Sequence, residues 1–200
     1  MSRKTLLLAS LFLLFPLLVQ AQAPTLLDVN IQRMQTARVG MYTLGGWAIA
    51  NMAIGGIGMA RTTGATRSFH QMNLFWNVVN LGIAAGSYFG MASDDPTSWT
   101  AWQGLEHQFL LEKAFLFNAA LDIAYMGGGL YLRERSKNDP ARADQWMGWG
   151  NSILLQGGFL FAFDLAMYFI LHPGLAELQP FLTGVQVSPT GFSMVIPIGR

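Results

Sequence analysis

The chain has 200 residues, enough for one domain. Apolar residues make up 52% of it and charged residues 12%. That is about half the usual share of charge, which excludes an ordinary soluble domain. The net charge of +1, with no basic run, gives no footprint for nucleic acid. The absence of cysteine excludes disulfides, zinc–thiolate sites, iron–sulfur clusters and a thiol nucleophile.

Residues 1–23 read as a signal peptide. Arg3 and Lys4 form its positive start, and residues 6–19 are an apolar stretch of 14, short for a membrane span. Ala21-Gln22-Ala23 supplies the small residues at which such peptides are cut. The chain that follows starts outside the membrane whether or not it is cut.

Thr25-x-x-Asp28 is a capping box, and Leu27, Ile31 and Met34 follow at helical spacing, so a helix leads from here into the first span. Four apolar stretches come next: residues 39–60, 72–91, 110–132 and 153–171. Each is near the ~20 residues that cross a hydrocarbon core, and none alternates as a barrel strand does. The two inner loops carry six cations, Arg61, Arg67, Arg133, Arg135, Lys137 and Arg142, whereas residues 92–108 carry none. The positive-inside rule therefore agrees with the signal peptide: both termini lie outside, in a multi-pass membrane protein. Asp95-Pro96 predicts a short surface helix bearing Trp99 and Trp102. Past the fourth span, Val185 and Val187, Ser188-Pro189-Thr190-Gly191, then Phe192, Met194 and Ile196 read as a β-hairpin outside the membrane. The expected fold is thus an all-α membrane protein, a bundle of four transmembrane helices. It divides into residues 1–23 (signal peptide), 24–175 (helical membrane domain) and 176–200 (extracytoplasmic hairpin).

The costly residues are polar ones at mid-depth. Asn51, Asn80, Asp122 and Asp164 place one amide or acid near the centre of each span. A carboxylate there costs roughly 2.5–3.5 kcal/mol on the lenient insertion scale, so these side chains face the bundle interior. On span two, His70, Asn73, Asn77, Asn80, Ala84 and Ser87 share an arc of about 100°. On span three, His107, Ala114, Asn118, Asp122, Tyr125 and Gly129 share about 80°. Gln156, Gly157, Asp164 and Tyr168 group on span four, and Ala48, Asn51, Gly55 and Gly58 on span one. No cation lies at that depth: Lys113 is roughly 13 Å from Asp122 along the helix axis. Desolvation and proximity both disfavour two charged carboxylates side by side.

Asn51-Met-Ala-Ile-Gly-Gly-Ile-Gly58 aligns with Asp122-Ile-Ala-Tyr-Met-Gly-Gly-Gly129, and Asn80-Leu81 with Asp164-Leu165. This reads as two helical hairpins in the same orientation, a parallel repeat.

Phe69-His70-Gln71-Met72-Asn73, Trp76-Asn77 and Asn80-Leu81 resemble an uncharacterised family of small bacterial membrane proteins with no assigned function. Phe117-Asn118, Leu121-Asp122, the Gly127–Arg135 exit and Leu155-Gln156-Gly157-Gly158 carry the same resemblance. It implies a four-span bacterial bundle and brings no activity.

Three functional classes stay open, the third an intramembrane enzyme. In the first, Asp122 and Asp164, helped by Asn51, Asn77, Asn80, Asn118, Gln156 and Tyr125, hold a small polar ligand, a cation or a proton in a binding or transport-like role. In the second, those residues only bond helices together in a structural or accessory membrane protein. An intramembrane aspartyl protease is a poor fit, since neither a Tyr-Asp nor a Gly-Leu-Gly-Asp motif is present. No cofactor or metal site is expected. The expected partners are membrane lipid, a second copy, or an envelope component meeting the C-terminal hairpin.

Overall fold

Thr25 opens the first helix through the reciprocal cap expected of it. Its backbone N–H and Oγ1 donate to Asp28 Oδ2 at 2.9 and 2.6 Å, while Thr25 Oγ1 accepts from the Asp28 backbone N–H at 3.2 Å. Helix α1 then runs unbroken over Leu26–Arg61. The outer segment and the first apolar stretch are therefore one rod. The computed structural model describes residues 24–182 and, beyond them, the backbone of Val185–Ser188 and Gly191–Met194. The signal peptide read at residues 1–23 lies outside the described residues.

Gly64 adopts φ +60°, a left-handed conformation that glycine takes without strain, and helix α2 spans Gly64–Ser93. Asp95 does cap a helical turn, accepting from the Thr97 N–H at 3.0 Å, but that turn is only Pro96–Ser98. The surface helix expected to carry Trp99 and Trp102 does not form. Thr100 starts a new helix with its own capping box, in which Gln103 Oε1 accepts from the Thr100 N–H at 2.8 Å. Helix α3 accordingly covers Ala101–Arg135 and includes Trp102. After a turn at Pro140–Arg142 comes helix α4, Ala143–Leu171, then the short helix α5, Gly174–Leu178.

Helices α1 to α4 have 36, 30, 35 and 29 residues. At 1.5 Å per residue they reach about 44–54 Å, more than a hydrocarbon core of ~30 Å requires. Among the described residues, two helical stretches, Ala101–Arg135 and Pro140–Phe181, are long and apolar enough to cross a membrane by length and composition. Four such spans are expected from the sequence. Helices α1 and α2 fall short of that criterion, and both bury polar faces: Asn30, Arg33 and Asn51 on α1, and Asn73, Asn77 and Asn80 on α2.

The main packing is α1 on α2, α2 on α4, and α4 on α3; α2 and α3 are not closely packed on each other. Two helical hairpins thus lie side by side through their second helices. Glycines permit the closest approaches. A Cβ at Gly148 would strike the α2 backbone at Ala65 and Phe69, and one at Gly150 would strike α3 at Gly129 and Arg133. At one end of the bundle, Val29, Leu105, Leu175, Leu178 and Leu182 form an apolar cluster. Beyond it, Val185–Ser188 pairs antiparallel with Gly191–Met194, Val185 opposite Met194. These two short segments leave the fold class all-α.

Candidate polar site between the helices

Asn73, on α2, is the hub of a buried amide network. Its Nδ2 donates to both Asn51 O and Asn51 Oδ1 at 3.1 Å, tying α2 to α1. Its Oδ1 accepts from Gln156 Nε2, tying α2 to α4. Gln156 Oε1 in turn accepts from Trp47 Nε1 at 2.9 Å, and the Trp47 ring stacks on Phe159 at 3.7 Å. Asn77 donates to Asn73 O at 2.7 Å, and Asn80 donates to Asn77 Oδ1 at 3.3 Å. Asn73, Asn77 and Gln156 are at most 1% exposed. Three helices meet through this network, and its amides leave few bonds unmade.

The two acids lie apart from it, in a different environment. Asp122 on α3 and Asp164 on α4 are both buried. Asp122 Oδ2 is buried and accepts from no amide, hydroxyl or guanidinium group. Among the described residues the ion pairs are Lys137–Glu134 and His172–Glu112, so no side-chain cation compensates the acids. Both acids open onto a cavity of about 360 Å³ between α2, α3 and α4. Its polar lining is Asn80, Asn118, Tyr125 and the two aspartates; Leu44, Val79, Ile83, Leu121 and Leu160 supply the apolar walls. Trp76 on α2 meets Tyr125 on α3 edge to face, ring centroids 5.0 Å apart.

The expected site thus divides in two. Asn80, Asn118, Asp122, Asp164 and Tyr125 share the cavity, while Asn51, Asn77 and Gln156 are spent on the network. Asn80 takes part in both. The face expected on the third span needs correction. Ala114, Asn118 and Tyr125 are exposed, and the buried stripe of α3 is Gln108, Glu112, Phe115, Ala119, Asp122 and Gly129. That stripe is turned by about 70° from the polar arc, with Asp122 and Gly129 common to both. The cause is the close approach of α4: Gly150 and Gly157 press against the α3 backbone at Gly129 and Asp122, and that contact fixes which side of α3 is covered. The network hub, Asn73, belongs to the polar arc of span two but not to the expected site. Its position two turns from Asn80, on the same arc as Asn77, is the signal that marks it.

A second polar group lies nearer the other end of these helices. Arg33 Nη2 donates to Asn30 Oδ1 at 2.7 Å, and the guanidinium sits 5.5 Å from the Trp99 ring, which stacks on His107. Burial pulls the Arg33 pKa down to about 10, and it remains a cation at neutral pH. Gln108 donates to Glu112 Oε1 and to Leu171 O, both at 2.7 Å, and Glu112 Oε2 lies 3.2 Å from His172 Nδ1. His107 is stacked away from the Glu112–His172 pair.

The fold and the site define a class: an all-α protein of four long helices, apolar outside, with a polar interior and an acid pair opening on a cavity. Its family is one of unknown function. The chain belongs to DUF6992, whose model matches residues 43–165, more than half of its length. Every residue lining the acid cavity falls within that stretch. No curated protein and no solved structure matches the chain.

Proposed function

We propose that this chain is a four-span protein of the bacterial inner membrane that binds a small polar or cationic ligand at the Asp122–Asp164 pair. The membrane reading rests on an inverted distribution of side chains. Ile49, Ile54, Phe75, Val79, Phe89, Leu110, Phe117, Leu130, Phe169 and Ile170 are all at least 45% exposed, whereas Asn73, Asn77, Gln156, Asp122 and Asp164 are buried. Large exposed apolar area spread over four helices suits lipid and costs dearly in water. The same polar interiors lower the mean hydropathy of α1 and α2, which accounts for their falling short of a span by composition. The inner loops' cations and the signal peptide orient the chain with both termini outside.

One observation carries the ligand: two buried carboxyl groups face a cavity of about 360 Å³ with no cation to compensate them. Were they only glue, an amide at each position would serve, as Asn73 and Gln156 do nearby. The amide network favours the structural class for Asn51, Asn73, Asn77 and Gln156, and those residues hold the frame around the site.

The test is Asp122→Asn and Asp164→Asn, singly and together, in detergent-purified protein. Stability held or raised in the variants means that the acids are kept for binding at a cost. A clear loss in both single variants means that they hold the helices together, and the ligand reading falls. Topology is checked separately. The chain has no cysteine, so single cysteines at Thr63, Asn138 and Thr97 report sidedness with an impermeant maleimide. Labelling from outside is expected at Thr97 only.

A further inference from the structure

We infer that the ligand of this cavity is an organic amine, not an inorganic ion; the inference rests on the binding reading above and names its ligand class. The cavity is the first argument. About 360 Å³ is the size of small-molecule sites, which begin near ~300 Å³, and is many times the ~30 Å³ share of one water. A bare metal ion fills a small part of such a space, and a hard cation such as Ca²⁺ takes about six to eight oxygen ligands. Most of the wall is aliphatic, and among the described residues no group of three His, Cys, Asp or Glu side chains could hold a metal.

The second argument is the pairing of groups. Asp122, 2% exposed, lines the cavity and its Oδ2 accepts no hydrogen bond; an ammonium N–H supplies a donor. Trp76 and Tyr125 line the same space and meet edge to face, and aromatic rings attract alkylammonium groups through their quadrupole. The apolar wall takes the amine's carbon body. An acid, an aromatic pair and an aliphatic wall together match a cationic head on a hydrophobic body, and none of the three alone does.

The third argument is access. Because α2 and α3 are not closely packed, the cavity opens sideways between them, and Tyr125, 39% exposed, stands at the rim with the exposed Asn118. A sideways mouth suits a ligand that partitions into the membrane.

The experiment is isothermal titration of the full-length protein in detergent with benzylammonium, with benzyl alcohol as its neutral counterpart, and with sodium. Saturable binding of benzylammonium is expected, with no binding of benzyl alcohol or sodium. Asp122→Asn combined with Asp164→Asn should abolish it. Tyr125→Leu should weaken it roughly 5- to 30-fold and Tyr125→Phe should not, because the ring survives. Tyr125 is the variant of choice because it is part-exposed; Trp76→Leu, which also loosens packing against Leu44, is read only beside its unfolding midpoint. If sodium binds in an aspartate-dependent way and benzylammonium does not, the amine inference is overturned and the binding site stands. If benzyl alcohol binds as well as benzylammonium, or Tyr125→Leu leaves affinity unchanged, the amine inference is likewise overturned. If no probe's binding depends on the aspartates, both readings fall.

Discussion

Gln156 and Asn73 join α4 to α2 side chain to side chain: Gln156 Nε2 donates to Asn73 Oδ1, and the other end of the same amide takes the Trp47 indole N–H of α1. One buried glutamine thereby contacts two neighbouring helices. In a bundle with an apolar exterior, such bonds and close backbone contacts add to the buried apolar clusters in holding the helices together.

Asn73→Leu removes the bonds to Asn51 and Gln156 and leaves the Gln156 Nε2 and Asn51 Oδ1 groups buried without partners. A loss of about 1–3 kcal/mol is expected, measured by thermal or denaturant unfolding in detergent. Asn118→Leu is the control. Asn118 is exposed on α3, and its replacement should leave stability unchanged or raised. Equal losses in the two variants would contradict the network.

Gly148→Ala places a Cβ on the α2 backbone at Ala65 and Phe69, which cannot swing aside as a side chain can. The expected cost is about 1–3 kcal/mol. Gly158→Ala lies on the same helix with open space around it, and should be neutral or stabilising by up to about 1 kcal/mol through helix propensity. A Gly148→Ala variant as stable as wild type would show that α2 and α4 are not in such close contact.

Thr100→Ala removes the cap that starts α3 and frees the Gln103 N–H, which Thr100 Oγ1 accepts at 3.3 Å. About 1 kcal/mol should be lost, with faster amide hydrogen exchange over the first turn of α3 and no change at α1. Unaltered exchange there would mean that α3 begins elsewhere.

Hydrogen bonds from the Thr25 side chain, then its backbone, hold the Asp28 carboxyl below its ordinary value of 3.8; Asp95 is lowered in the same way by Thr97. The sign follows. A lowered carboxylate contributes its stabilisation fully above its unfolded pKa and loses it as pH falls through the folded one. The start of α1 should therefore loosen only in acid, below about pH 4. Carbon-13 titration of the Asp28 carboxyl should give a midpoint under 3.8, and Thr25→Ala should move it upward. A midpoint at or above the ordinary value removes the cap from this account.

The sequence by itself determined the helices, the polar face of α2 and the cap at Thr25. These follow from local chemistry: periodic polar residues, apolar length, and a threonine three residues before an aspartate. The Thr100–Gln103 cap is equally local, a threonine three residues before a glutamine. What the tertiary structure decided is which helices touch. Asn118 and Tyr125 mark a polar arc on α3, yet close glycine contacts with α4 turned another stripe inward and left that arc on the rim of a gap. The division of one polar layer into an amide network and an acid cavity arose in the same way. An asparagine and an aspartate at equal depth look alike in sequence, and only the neighbour that each meets determines whether its hydrogen bonds are filled.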